Sequence, residues 1–291
     1  MRYDFIRSHR EEYRLIRLCD ALEVSPSGYY DWLDRPESNR TRKNKMLTEK
    51  IKHSHQQSRE IYGSPKIHKD LMADGETCGV NRVARLMNLA DIKSKMARKF
   101  VVTTDSKNTM QPAPDLLRRR FTVDKHDEAW VSDTTFIATR EGWLYLAIIL
   151  DLFSRQVIGW SMSTKNNAEL VQDALTMAVW RRGKVNDVIV HSDQGSTYAS
   201  SSYQQQLSEN NLRCSMSRKG DCWDNSVVES FFGSLKQERV HWRHYQTRYE
   251  AQQDILHYIS MFYNSYRLHS YLDYKSPNQY EAENLELRKV A

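Results

Sequence analysis

The 291-residue chain has no stretch approaching the roughly 20 consecutive apolar residues that a membrane-spanning helix needs. Its opening, MRYDFIRSHREEY, also lacks the apolar run of a secretory signal peptide, so a soluble, cytoplasmic protein without a membrane partner is expected. Cysteine is scarce. The four present (Cys19, Cys78, Cys214 and Cys222) include no C-x-x-C pair, which argues against a disulfide framework and a four-ligand zinc site. There is no internal repeat, no low-complexity tract and no leucine heptad. What is left is a chain too long for one average domain of about 100–150 residues, hence one sizeable core with smaller appendages.

What is present begins with charge. The net charge is +6, and it is unevenly spread: residues 1 to 100 hold 21 Lys and Arg against 14 Asp and Glu, while the remainder holds 22 against 23. The N-terminal basic residues are interleaved with apolar ones at helical spacing, which suggests helices facing nucleic acid. Ordinary solvated helix faces would give the same pattern.

Apolar spacing predicts a first helix ending near Leu22, then a turn at Glu23-Val24. Ser25 as N-cap and Pro26 at the first helical position open a second helix carrying Tyr29, Tyr30 and Trp32. Helix, turn and short helix make a helix-turn-helix candidate over 1–36. The polar run ESNRTRKNK (37–45) reads as a linker. A second such unit extends to 97, with a helix over Thr48 to Gln57, another starting at Gly63-Ser64-Pro65, and a DNA-reading helix from Asn81 to Asn88 that presents Arg82 and Arg85. Residues 98–124, with two prolines and the run Arg118-Arg119-Arg120, read as a basic linker lying along DNA.

At Ala129 the texture changes. AWVSDTTFIAT, GWLYLAIILDLF and RQVIGWSM are rich in β-branched and aromatic residues and predict a three-stranded antiparallel meander. A helix from Ala168 to about Trp180 follows, then DVIVHSD as a short buried strand suited to parallel pairing, SSYQQQLSENN as a helix, RCSM as a strand and NSVVESFFGSLKQERV as a long helix. That order is α/β, a mixed sheet flanked by helices, over 125–240. Residues 241–291 form a helical extension, amphipathic from Thr247 to Tyr263, with a polar tail around RLHSYLDYKSPNQYE.

Three acids fall at informative places. Asp133 lies within the first strand, Asp193 directly follows the buried strand VIVH, and Glu229 is one turn into the long helix. Carboxylates drawn into such apolar surroundings are costly unless a cation neutralises them, and Mg2+ suits a set of carboxylate oxygens. Phosphodiester chemistry uses two such ions about 3.5–4 Å apart, one for the attacking and one for the leaving oxygen. Asp133, central in the sheet, is the candidate bridging ligand. Each acid alone is weak evidence, since a lone Asp after a strand is commonly a turn former. Their spacing of 60 and then 36 positions, each on a suitable element, carries more.

The strings WVSDTTFIA, GWLYLAIILDLFSRQVIGWSM, HSDQGSTYAS, SMSRKGDCWDNSVVESFFGSLKQE and YNSYRLHSYLDYKSP closely resemble the integrase core of bacterial OrfB-type insertion-sequence transposases, from about Ala129 to Tyr280. LCDALEVSPSGYYDW and YGSPKIHKDL resemble that family's preceding helical segment. The resemblance implies a ribonuclease-H-like fold and an Asp-Asp-Glu triad binding Mg2+ or Mn2+, which here would be Asp133, Asp193 and Glu229. It also implies cleavage at element ends followed by strand transfer on double-stranded DNA.

Lys236, seven residues beyond Glu229 on the same helix face, then falls where the family places a basic residue near the DNA end; a plain surface lysine is the alternative. Gln194 and Gly195 would shape the loop after the second aspartate, and Arg218 and Lys219 in the loop Ser217–Asp224 would contact phosphates. Trp223 either stacks on a base or packs that loop down.

His53, His55 and Cys78 lack the spacing of the retroviral zinc unit, so no structural zinc is expected. Family resemblance also implies a homo-oligomer on nucleoid DNA, and an upstream-reading-frame partner joined by frameshifting. With its own methionine and no heptads, this chain would be the catalytic partner. Two other readings stay open: a DNA-binding regulator with an idle core, and a plain nuclease of the same fold.

Overall fold

The computed structural model describes residues 2–95, 113–218 and 225–290. Six helices come first: α1 (Arg2–His9), α2 (Leu15–Ala21), α3 (Pro26–Asp34), α4 (Asn39–Gln57), α5 (Ser64–Ala73) and α6 (Val80–Leu89). Ser25 caps α3 by accepting a hydrogen bond from the Gly28 N–H at 3.0 Å, with Pro26 in the first turn. The first three helices close on a small core of Ile6, Leu18, Cys19 and Tyr29.

Five strands follow. β1 (Ala129–Thr139), β2 (Gly142–Asp151) and β3 (Val157–Ser163) form the antiparallel meander, and β4 (Val188–Ser192) and β5 (Leu212–Met216) add in parallel, giving the spatial order β3-β2-β1-β4-β5. Parallel pairing requires crossovers, supplied by α7 (Ala168–Arg182) and α8 (Ser201–Glu209). Asn167 caps α7 through the Leu170 N–H, and Gly183, with φ of 71°, ends it. Gly159 on β3 lets α7 lie close, because a Cβ there would stand 2.2 Å from the Ala174 carbonyl oxygen.

Strand alternation sorts side chains into two cores. Trp130, Ala147 and Ile149 face α7 and α8, together with Leu170, Ala174 and Tyr198. Val131, Ile148 and Leu150 face the other side, where α9 (Ser226–Glu238), α10 (Arg248–His257) and the π-helical turn Tyr258–Tyr263 pack through Phe231, Leu235, Ile255 and Ile259. Tyr62, Ile67, Leu71 and Val83 of the N-terminal helical region belong to this second cluster, so one apolar core runs across the expected boundaries at 97/98 and 240/241. The molecule is thus a mixed α/β sheet flanked by helices, preceded by a helical region.

Three segments differ from expectation. The run 37–45 is no linker: α4 starts at Asn39, with the Ser38 hydroxyl accepting from the Thr41 N–H at 3.1 Å. Its polarity marks an exposed helix face, and the cap was the signal. Ahead of Leu22 stand two short helices, not one.

The polar tail is built into the fold and continues into α11 (Pro277–Val290). Asn264 accepts from the Val157 N–H at 3.0 Å and donates to the Val157 carbonyl at 2.9 Å, acting as a strand partner for β3. Arg267 and Glu281 are likewise committed to buried partners. Polar groups satisfied in pairs leave no apolar periodicity for a sequence reading to detect.

Candidate active site

Asp133 sits in β1 opposite Ile148 of β2. Two residues beyond Val131, it shares that residue's face of the sheet, the face on which α9 packs. The parallel register pairs Val131 with His191, so continuing it by two residues on each strand brings Asp133 beside Asp193. The offset of 60 positions seen in the sequence is therefore the register of the β1–β4 pair. One Asp133 oxygen, Oδ1, accepts from the Thr134 N–H at 2.7 Å.

Asp193 begins the loop after β4, and its Oδ1 accepts from the Gly195 N–H at 2.9 Å. Gly195 is confined by that contact: a Cβ there would stand 2.9 Å from the same Oδ1. Gln194 pins the loop from the other side, donating to the Ser217 carbonyl at 2.8 Å. Glu229 lies in the first turn of α9, exposed to solvent, with Lys236 two turns further on. The Lys236 ammonium lies 5.3 Å from the centre of the Phe136 ring, which projects from β1.

The electrostatics tie these residues together. Burial raises the Asp133 carboxyl well above the usual carboxylate range, and the charges of Asp193 and Glu229 raise it further, while the Thr134 N–H and Lys236 pull it down. Burial also raises Asp193, against the opposing Gly195 N–H, and partial desolvation raises Glu229 even though its side chain is largely exposed. Lys236 is lowered by desolvation and lifted by Asp133. Asp133 is thus the hub, sensing both other acids at once.

Among the described residues, no three His, Cys, Asp or Glu side chains stand close enough together to hold a metal ion. The donor chemistry nevertheless fits a hard cation. Each aspartate fixes one oxygen on a backbone N–H, and its other oxygen accepts no hydrogen bond from the described residues. Glu229 is exposed, and its charge still reaches Asp133.

Two bracing residues escaped the sequence reading. Tyr198, buried, is within 3.1 Å of the Ser132 hydroxyl, and the Asn225 side chain donates to the Ser132 carbonyl at 3.4 Å. Both hold the strand position next to Asp133. Tyr198 lies within HSDQGSTYAS and Asn225 at the start of the long helix, so the motifs marked their neighbourhoods but not their roles.

The basic residues are dispersed. Arg85 is exposed, and Arg82 donates from Nε and Nη2 to the Asn44 side chain at 3.1 and 2.8 Å, tying α6 to α4. Both line a groove of about 650 Å3 with Asn39, Arg40, Lys43 and Asn81. Arg40 and Lys43 were missed because their segment was read as a linker. Arg118, Arg119 and Arg120 are all exposed, the first two with left-handed backbone at φ of 48° and 60°. Arg218 is exposed at the edge of the site; Lys219 and Trp223 lie outside the described residues. Among the described residues, no helix is long and apolar enough to cross a membrane.

With this geometry in place, comparison with known proteins is direct. An integrase core domain family matches residues 124–222, a second integrase core domain family matches 229–285, and an HTH-like domain family matches 41–100. The transposase InsF of insertion sequence IS3A from Escherichia coli strain K12 is 39% identical over 287 residues, covering 98% of this chain and 100% of InsF. A 31 kDa protein of insertion element IS600 from Shigella sonnei is 38% identical over 260 residues, 89% of this chain and 96% of that protein.

Among solved structures, the HTLV-2 integrase catalytic core domain in complex with magnesium (trimeric form) covers 54% of this chain and 97% of its own, at 16% identity and a TM-score of 0.42. The simian T-cell lymphotropic virus intasome in complex with PP2A regulatory subunit B56 gamma covers 80% and 74%, at 14% identity and a TM-score of 0.46. Those scores are too low to bear argument, and the assignment rests on the near-full-length sequence match. By that match this chain belongs to the OrfB-type transposases of IS3-like insertion sequences, DNA-binding enzymes that carry an integrase core and act in DNA transposition as polynucleotidyl transferases.

Proposed function

We propose that Asp133, Asp193 and Glu229 are the catalytic carboxylates of this transposase, with Asp133 as the shared ligand of two Mg2+ or Mn2+ ions. The observation carrying this reading is geometric: the β1–β4 register brings Asp133 beside Asp193 on the sheet face against which α9, bearing Glu229, packs, and Asp133 feels the charge of both acids. When bound, divalent ions would activate the attacking water or 3′-hydroxyl and offset charge developing on the leaving oxygen.

The chain's own residues supply position and charge. Gly195 keeps the Asp193 carboxylate oriented, and Tyr198 and Asn225 brace the strand beneath Asp133. Lys236 contacts a phosphate at the DNA end. Arg82 and Arg85, with Arg40 and Lys43, hold the duplex by its backbone, and Arg118, Arg119, Arg120, Arg218 and Lys219 extend that contact. Because two element ends are cut together, a homo-oligomer on DNA is part of the reading, as is pairing with the upstream reading frame's product. The division 1–36, 37–97, 98–124, 125–240 and 241–291 is proposed as the functional partition.

The test is strand transfer on duplex DNA carrying element ends, in the presence of Mg2+. Asp133→Asn, Asp193→Asn and Glu229→Gln should each abolish joined product while leaving DNA retention intact. Retained joining by any one of them would sink its assignment.

A further inference from the structure

Four of the sequence strings singled out above meet around a cavity of about 340 Å3. YGSPKIHKDL supplies Lys66 on α5, DLFSRQ supplies Arg155 in the turn between β2 and β3, VVESFFGSL supplies Ser230 and Ser234 on α9, and YNSYRLHSYL supplies Arg267 and His269. The volume lies in the range of about 300–1,000 Å3 typical of ligand sites.

The charges inside it do not balance. Arg155 is 7% exposed, yet its Nη1 is buried without a hydrogen-bond partner among the described residues. Its Nη2 donates to the Phe121 carbonyl at 2.9 Å and its guanidinium lies 4.1 Å from the centre of the Tyr271 ring, so the group is held firmly with Nη1 left without an acceptor. Neither Arg155 nor Lys66 has a carboxylate within ion-pair distance among the described residues. The nearby acid, Glu238, is taken: Arg267 Nε donates to its two oxygens at 3.0 and 2.9 Å, and the Tyr258 hydroxyl donates to it at 2.7 Å.

His269 adds no charge, since Arg267 Nη1 donates to its Nε2 at 3.3 Å and surrounding cations and burial keep the ring neutral. Lys66 is itself pushed down to about 8 by burial and by Arg267. Two positive charges are thus left uncompensated in a half-closed space, with hydroxyls from α9 beside them. Burying an unpartnered guanidinium donor is costly, and an anion would remove that cost.

We propose that this cavity is a phosphate-binding site, in which Arg155 Nη1, the Lys66 ammonium and the Ser230 and Ser234 hydroxyls hold the oxygens of one phosphate group. A phosphate offers enough acceptor oxygens to engage donors arriving from three different elements, which a carboxylate with two oxygens does less well. The group is either a phosphodiester of bound DNA or a free phosphate. The site is independent of the triad assignment, because occupancy is read without divalent metal and without strand transfer. Because α5, the core sheet and α9 all border it, an occupant would join the helical region to the helix that carries Glu229.

The experiment uses the full chain and inorganic phosphate, with sodium chloride at matched ionic strength as control. Phosphate should raise the melting temperature beyond chloride, and Lys66→Gln and Arg155→Gln should lose that rise. Arg155 is buried, so its variant may be judged only if it folds; the more accessible Lys66→Gln, with an unchanged melting temperature in the absence of phosphate, decides alone otherwise. The salt dependence of duplex DNA binding separates the sources. A slope of log K against log salt shallower by about 0.9 in Lys66→Gln identifies a DNA phosphate, and an unchanged slope a free one. Absence of a phosphate-specific rise in the parent chain, or a rise that survives in folded Lys66→Gln, overturns the proposal.

Discussion

Two sets of three carboxylates lie in the same integrase core, and they meet opposite fates. Asp127, Asp151 and Glu281 close around Arg182: its Nε lies 3.1 Å from Asp127, its Nη2 3.4 Å from Asp151 and 2.9 Å from Glu281, and its Nη1 also pairs with Glu281. Asp151 further accepts from the backbone N–H groups of Asp127 and Phe153, at 2.8 and 2.7 Å. Among the described residues, Asp133 and Asp193 each have one backbone N–H, and Lys236 is the cation acting on Asp133.

The difference separates a structural cluster from the set proposed as catalytic. In the first, one arginine and a set of backbone donors stabilise the charges internally, although burial still pushes Asp151 up to about 6 against the pull of Arg182. In the second, the one cation seen beside Asp133 among the described residues is Lys236, and on the proposed reading an outside cation supplies the rest. Perturbed carboxyls alone therefore do not mark an active site, since a structural ion-pair network perturbs them too.

The largest effect that would break this comparison is on activity. Removing one acid of the proposed triad should lower strand transfer by about 10^2–10^3-fold or more, at least the loss seen when one electrostatic catalytic group is deleted. The folded chain should be no less stable for it, since a repelling charge has gone; a large fall in melting temperature for Asp133→Asn would recast that cluster as structural.

In the clamp the reverse holds. Arg182→Met strands three acids, and denaturant unfolding should show a loss of about 3–5 kcal/mol. A loss below about 1 kcal/mol, the size of an exposed pair, would show that the clamp is not internally neutralised.

A smaller effect probes how finely the open site is held. Gly195→Ala places a methyl 2.9 Å from Asp193 Oδ1 and should lower strand transfer by up to about 10^2-fold with the fold retained. Unchanged activity would mean that the carboxylate's orientation there is unimportant.

The smallest is a pH effect. Burial pushes Glu281 up, but the hydrogen bond and charge of Arg182 outweigh it and hold the carboxyl below its ordinary 4.5. Folding thus favours the ionised form, so this contribution is complete above pH 4.5 and is lost as pH falls through the lower folded value. Glu281→Gln should be about 1–3 kcal/mol less stable than the parent at neutral pH, with the gap closing on acidification. A gap independent of pH would remove ionisation from the account. The raised carboxyls of the other cluster carry the opposite sign, penalising the folded chain at neutral pH and relieving it as pH falls.

How much of this could be read from the sequence follows from which groups leave a periodic trace. The meander, the buried strand β4 and the long helix α9 were legible because β-branched alternation and helical apolar spacing were strong there. With them came the positions of Asp133, Asp193 and Glu229 on their elements. The start of α4 was hidden, since Ser38 and a run of Arg, Lys and Asn look like a linker when only apolar residues are counted. The polar tail was hidden for a different reason: Asn264, Arg267 and Glu281 do core work through partners 107, 29 and 99 residues away. No local pattern encodes such pairs, and the phosphate cavity arises from the same segment. Tyr198 and Asn225 fall between these cases, inside recognised motifs but with roles that only the fold defines.

The most direct test of the central claim is the melting temperature of the parent chain and of Asp133→Asn as MgCl2 is added. Selective binding to the folded state should raise the parent's value, with about 2.7 kcal/mol of added stability at a hundredfold excess over Kd, and leave Asp133→Asn unmoved. An equal rise in both would contradict the claim that these three acids form a cation site organised around Asp133.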